Sequence, residues 1–264
     1  MQNKKASNKS KGKLNICVIN LKGGSGKSTN ASLIASFYNN STLIEIDKIN
    51  KSDLRIKTPY YNSMQIDFSN EQSNEYLEFE NLLFEDGVKI IDVGAVKLEI
   101  FHKAMITNKL YEEIDLFIIP AMDGLDDFIV ADKFLANIYK EINTSKVLFS
   151  FNRYNNKEYS IKEQFSSFFD NEDLLIDDYN IDLNSSYYVI PDRKSIKYAR
   201  SQGISVRELI DTDDNELKEL QRNAKNKEER LHYSKLRNVV INAKNLYSDY
   251  MVNMISMISK KMEN

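Results

Sequence analysis

The stretch Leu14-Asn15-Ile16-Cys17-Val18-Ile19-Asn20-Leu21-Lys22-Gly23-Gly24-Ser25-Gly26-Lys27-Ser28-Thr29 decides how the rest of the chain is read. Its first half is a short run of branched residues that stops at a glycine cluster, as a buried strand does. Its second half opens a helical stretch predicted to run from Lys27 to Tyr38. Three of the eight glycines in the chain, Gly23, Gly24 and Gly26, fall within four residues, which marks a backbone that other residues could not easily follow. Placed between a strand and a helix, such a loop turns successive backbone N–H groups toward phosphate oxygens, and the helix amino end adds partial positive charge. Lys27 would then reach the β- and γ-phosphates of a nucleotide, and the Ser28 hydroxyl would bind Mg²⁺. Gly23, Gly24, Ser25, Gly26 and Thr29 complete the expected nucleotide cradle.

Working outward, similar apolar runs recur at Thr42 to Ile46, Val88 to Ile91, Ile114 to Ile119, Lys146 to Phe151 and Tyr187 to Ile190. Amphipathic segments long enough for crossover helices, such as Leu125 to Ile142 and Ile161 to Phe169, lie between most of them. Nearly continuous apolar strands alternating with helices predict an α/β fold, a doubly wound and mostly parallel sheet with helices on both faces. Pro120 and Pro191 each follow such a run and mark the carboxyl edge of the sheet, where ligands bind in open α/β folds. The segment Asn215 to Ile258 contains no Gly or Pro and reads as one or two long helices. The expected organisation is therefore a mobile basic tail over 1–13, one domain over 14–210, and a helical extension over 211–264 packed on the same domain.

Composition narrows the function classes. The chain has 264 residues, a formal net charge of -3 and 42% hydrophobic residues, enough to fill a core. No apolar run approaches the length of a membrane span, and the first 13 residues, with five lysines, lack the apolar core of a signal peptide. A single cysteine, Cys17, and two separated histidines, His102 and His232, supply neither a disulfide framework nor a zinc site. A cytoplasmic protein is expected.

The loop departs from the ordinary pattern G-x-x-x-x-G-K-[ST], because Leu21 stands where the first glycine would be and Lys22 is added behind it. This is the deviant Walker A form, and on it the chain resembles the ParA/MinD family of P-loop ATPases, most nearly the short plasmid-partition ParA proteins. The resemblance implies ATP and Mg²⁺ as ligands and an ATP-dependent homodimer in which Lys22 acts on the phosphates of the facing subunit. It also implies that Asp47, closing Thr42-Leu43-Ile44-Glu45-Ile46-Asp47, orients or activates the attacking water. Glu45 replaces the first Asp of the family's D-x-D. A plainer reading makes Asp47 a cap for the segment that follows. Asp92, closing Val88-Lys89-Ile90-Ile91, matches the Walker B carboxylate that holds the Mg²⁺ shell. The following Val93-Gly94-Ala95 resembles ATPases encoded beside plasmid-stability and mobilisation genes. Asn152 and Pro191 resemble the family residues that contact the base, although Asn and Pro also serve ordinary strand-end turns.

Arg193, Lys194, Lys197, Arg200 and Arg207 crowd the segment after Pro191, and eight basic residues against three acids follow between Lys218 and Lys244. They could neutralise DNA phosphates without reading bases, or form an ordinary solvated face. ParA resemblance implies non-specific DNA binding, a nucleoid-associated location and a centromere-binding partner that stimulates hydrolysis, in plasmid or chromosome partition. Two alternatives stay open. One is a MinD-like membrane-cycling ATPase using the stripe Met251, Met254, Ile255, Ile258 and Met262, which could equally be helix-packing core. The other is a nucleotide-binding regulator of plasmid stability or conjugation.

Overall fold

A computed structural model describes residues 12–47, 56–67, 69–70 and 72–263. Among these, seven strands form one parallel sheet: β1 (Lys13–Val18), β2 (Ser41–Ile46), β3 (Tyr61–Ile66), β4 (Gly87–Val93), β5 (Leu116–Ala121), β6 (Val147–Tyr154) and β7 (Tyr187–Pro191). Their order across the sheet is β3-β2-β4-β1-β5-β6-β7. The chain thus builds one half of the sheet on one side of β1, then crosses to the other, and the carboxyl end of β1 sits at the switch point where parallel sheets bind ligands. All six residues of β5 are buried. Because alternate residues of a strand point to opposite faces, both faces there are covered, as the unbroken apolar runs predict.

Helices interleave: α1 (Lys27–Ala35), α2 (Asn74–Phe84), α3 (Leu98–Thr107), α4 (Leu125–Ile138), α5 (Ile161–Gln164), α6 (Ser166–Phe169), α7 (Glu172–Tyr179), α8 (Lys194–Gln202), α9 (Val206–Asp211), α10 (Asp214–Arg222), α11 (Lys227–Leu246) and α12 (Val252–Glu263). Several boundaries differ from the sequence reading. Strand β1 begins at Lys13, inside the expected tail, because Lys13 pairs with Gly87 and its ammonium with Glu113; residues 1–11 of that tail lie outside the described residues. The run Tyr61-Asn62-Ser63-Met64-Gln65-Ile66 forms an edge strand that its polar composition concealed. Helix α1 stops at Ala35, and Ile161 to Phe169 is two short helices broken at Phe165.

The segment after Asn215 divides into α10, α11 and α12, with one π turn at Tyr247–Met251. The first break needs neither Gly nor Pro: Asn226 caps α11 by accepting a hydrogen bond from the Glu229 N–H. The Met/Ile stripe faces inward. Met251, Met254 and Ile258 are buried, and Lys261 donates to Ser186 Oγ at 2.8 Å, so this stripe is core. No helix among the described residues is long and apolar enough to cross a membrane.

An aromatic cluster sits beside β6. Phe151 is fully buried, stacks on Phe165 at 4.5 Å and meets Phe168 and Tyr187. Phe151→Ala should cost about 3–5 kcal/mol, the usual loss for a large core aromatic. Urea unfolding checks this, and a loss below about 1 kcal/mol would contradict the packing described.

Candidate nucleotide site

The loop Leu21–Gly26 leaves β1 at the switch point and enters α1 directly. Asn20, fully buried, staples its start: its Nδ2 donates to the Pro120 carbonyl of β5 at 2.6 Å, and its Oδ1 accepts from the Lys22 N–H at 3.0 Å. Gly24 and Gly26 take φ of 77° and 99°, the left-handed region that glycine enters without a Cβ penalty. Gly26 then serves as the N-cap of α1, with no side-chain cap and no acidic residue in the first turn. Ser73, Ser160, Ser205, Asp213 and Asn226 cap α2, α5, α9, α10 and α11 with their side chains, whereas α3, α4, α6, α7 and α8 lack a side-chain cap as α1 does. The amino end of α1 keeps its N–H groups for something outside the helix, which suits an anion.

The ionisable groups converge on the same edge. Strand register sets Val18 beside Asp92 and Ile118, and Asp92 beside Glu45. Asp47 follows β2 immediately, and its carboxylate lies over Gly94: a Cβ added there would come within 2.5–2.8 Å of the carboxylate atoms. Gly94 in the variant Val93-Gly94-Ala95 therefore makes room for Asp47. Lys27 is buried and donates to the Lys22 carbonyl at 2.8 Å. Burial lowers the Lys27 pKa, against the pull of Asp92 and Asp47.

Asp92 is 7% exposed, and burial pushes its pKa up to about 6, opposed by a hydrogen bond from Ser28 and by Lys27, and assisted by Asp47. Its Oδ1 is buried without a hydrogen-bond partner. An orphaned carboxylate oxygen beside a serine hydroxyl is a donor set of the kind that Mg²⁺ takes, hard oxygen with room for water.

Other expected site residues are placed differently. Lys22, expected to act across a dimer, pairs within its own chain with Asp127 in the first turn of α4, and that contact raises its pKa. Asp127 is 3% exposed and also accepts from the Met122 N–H at 3.0 Å. Asn152, expected at the base, has its amide directed behind the loop, onto the Ser25 carbonyl at 2.8 Å and toward Asn30 at 3.0 Å. Pro191 ends β7, buried, opposite Tyr154 and a bulge at Arg153.

The expected DNA residues on α8 and α9 are largely engaged. Arg193 lies over the Tyr250 ring, Lys197 pairs with Asp192, and Arg207 pairs with Asp211 between Phe37 and Tyr60. Lys194 and Arg200 are exposed. More exposed cations lie on the hairpin of α10 and α11: Lys218, Arg222, Lys225, Lys227, Arg230 and Lys235. His102 bonds Tyr111 at 2.8 Å, and Cys17 is fully buried with its thiol pKa pushed up by burial, so neither belongs to the site.

Sequence reasoning missed Asn20, Asn30, Gly94, Asp127, Ser150 and Tyr188. For Asn20 and Ser150 a signal existed, a polar residue inside an apolar run. For Asp127 none did.

No family model matches the chain, and no curated protein matches it. Solved structures do. A McdA variant of Cyanothece, in complex with ATP, is 14% identical over 89% of this chain and 96% of its own, with a TM-score of 0.49. MinD of Aquifex aeolicus is 13% identical over 89% and 97%, at 0.48. A plasmid partition protein of Borrelia burgdorferi is 16% identical over 73% and 96%, at 0.45. These neighbours are ParA/MinD family ATPases. At such identities the reading of function rests on the residues.

The raised Asp92 pKa has a signed consequence. An Asp carboxyl ordinarily titrates at 3.8, and here at about 6. The folded chain therefore holds this proton over a window where the unfolded chain has released it, so this group's contribution to stability improves as pH falls from about 6 toward 3.8. Asp92→Asn, which keeps an acceptor for Ser28, should raise the melting temperature of the nucleotide-free protein at neutral pH, with the gain shrinking by pH 4.5. An equal effect at both pH values would contradict the assignment.

Proposed function

We propose that this chain is a Mg²⁺-dependent ATPase of the ParA type, which dimerises on ATP, binds DNA without sequence preference and acts in plasmid or chromosome partition. The observation that carries the ATPase reading is the uncapped amino end of α1 beside the buried, unpartnered oxygen of Asp92. An anion would satisfy the first and a hard cation the second, and Mg-ATP supplies both at once.

In this reading the N–H groups of Gly23 to Ser28 bind the β- and γ-phosphates. Lys27 exchanges the Lys22 carbonyl for phosphate oxygen, at little cost because it is already desolvated. Ser28 and Asp92 would hold Mg²⁺, which when bound neutralises phosphate charge. Asp47 orients the water whose oxygen attacks the γ-phosphorus as the bond to the ADP oxygen breaks. Lys22 leaves Asp127 and faces the phosphates of the second subunit, stabilising the charge that develops there. A centromere-binding partner would accelerate this step.

The DNA surface is assigned to Lys194, Arg200 and the exposed cations of the hairpin of α10 and α11, since phosphate contacts need only positive charge within reach. Membrane cycling has no such support, because Met251, Met254 and Ile258 of the stripe it would use are buried.

Co-sedimentation with DNA and with anionic vesicles, under ATP, ADP or no nucleotide, tests the assignment. DNA should pellet the protein with ATP alone, and the affinity should fall by at least about tenfold between 50 and 200 mM salt. Vesicle binding in place of DNA binding would point to the MinD-like role, and neither would point to a regulator. Asp47→Ala and Gly94→Ala should both suppress hydrolysis, the second by displacing the Asp47 carboxylate while ATP still binds. Lys22→Ala should lose dimerisation on ATP. Full hydrolysis in Asp47→Ala, or normal dimerisation in Lys22→Ala, would contradict the roles given.

A further inference from the structure

We infer that Asn30, Ser150, Asn152 and Tyr188 form a buried polar brace that aims the phosphate-binding backbone of the loop, with Asn152 positioning the loop in place of reading a base. The inference rests on the nucleotide reading above and concerns the same site. All four residues are almost wholly inaccessible to solvent, with relative exposures of 0%, 0%, 4% and 1%. They come from three elements, α1, β6 and β7, and meet directly behind Ser25 and Gly26.

The hydrogen bonds close on themselves. Asn152 Nδ2 donates to the Ser25 carbonyl at 2.8 Å and to the Ser150 carbonyl at 3.2 Å. Asn30 Nδ2 donates to the Gly26 carbonyl and to Asn152 Oδ1, both at 3.0 Å. Asn30 Oδ1 accepts from Ser150 Oγ at 2.7 Å and from Tyr188 Oη at 2.8 Å. Ser150 has one hydroxyl hydrogen, and the nearer acceptor, Asn30 Oδ1, takes it in preference to Asn152 Oδ1 at 3.2 Å. These partners settle which way each amide points, since turning either one would set its oxygen against backbone carbonyl oxygens.

The consequence for phosphate follows from peptide planarity. The carbonyl of one residue and the N–H of the next lie in one plane and point in opposite directions. Drawing the Ser25 carbonyl inward turns the Gly26 N–H outward, and drawing the Gly26 carbonyl inward does the same for the Lys27 N–H. These are two of the groups a triphosphate would meet. Gly26 is required twice over, for its φ of 99° and because a Cβ there would stand 2.8 Å from Asn152 Nδ2. With its amide committed to the loop, Asn152 has no donor left for a purine edge.

Calorimetric titration of the full chain with ATP, GTP and inorganic tripolyphosphate, each with Mg²⁺, tests the brace. Asn152→Ala should weaken all three by the same factor relative to wild type, about tenfold or more, the scale of losing a buried donor to a backbone carbonyl. Asn152→Asp, which keeps the acceptor but sets an oxygen against the Ser25 and Ser150 carbonyls, should weaken all three at least as much. Tyr188→Phe, a smaller change should Asn152→Ala fail to fold, should weaken all three by a smaller common factor. Loss for ATP with tripolyphosphate unaffected would overturn the brace and restore base reading. A lowered melting temperature with unchanged affinities would overturn it too, leaving a merely structural contact. If wild type bound none of the three, the nucleotide reading itself would fall, which separates the two failures.

Discussion

Backbone N–H groups in the first turn of α1 have no acceptor inside the helix, and the residues around them decline to provide one. Gly26 offers no side chain, the first turn holds no acid, and the glycine loop keeps the approach open. At α2, α5, α9, α10 and α11 the same requirement is met locally by Ser, Asp or Asn caps. Leaving it unmet here, at the switch point of a parallel sheet, sets up the demand that a phosphate would satisfy. Much of the surrounding structure keeps that loop from collapsing onto an internal partner: Asn20 fastens its start to β5, and the polar cluster behind Ser25 fastens its end to β6.

Charge around the loop is balanced for exchange of partners. Lys27 rests on a carbonyl, Asp92 keeps one oxygen without a partner, and Lys22 lies against Asp127. Each contact is one that a ligand carrying negative phosphate and a hard cation could replace with a stronger one. Burial sharpens this, since desolvation already disfavours the charged forms of Lys27 and Asp92 and the arrival of opposite charge relieves it. The Lys22–Asp127 pair holds this lysine within its own chain, on a carboxylate in the first turn of α4 that also accepts from the Met122 N–H.

Much of this was legible in the sequence, for reasons that vary by element. The central strands were readable because strands buried on both faces need unbroken apolar runs. Strand β3 was not, because an edge strand can carry Asn62, Ser63 and Gln65 at exposed or half-buried positions. The break between α10 and α11 escaped notice because Asn226 supplies by side-chain capping what Gly or Pro would have announced. At the site, Lys27, Ser28 and Asp92 declare themselves through local motifs. The bracing partners do not: Asn30 meets Asn152 across 122 positions and Tyr188 across 158, and nothing nearby in the sequence signals either meeting. The strand-end position of Asn152 is visible in the sequence, whereas its hydrogen bond to the Ser25 carbonyl, 127 positions away, is not.

Hydrogen exchange at the loop amides tests the central claim most directly, because it observes the donors themselves. On addition of Mg-ATP the amides of Gly23 to Ser28 should exchange far more slowly, with Mg²⁺ alone producing no such protection. Unchanged exchange across this loop at saturating Mg-ATP would contradict the account.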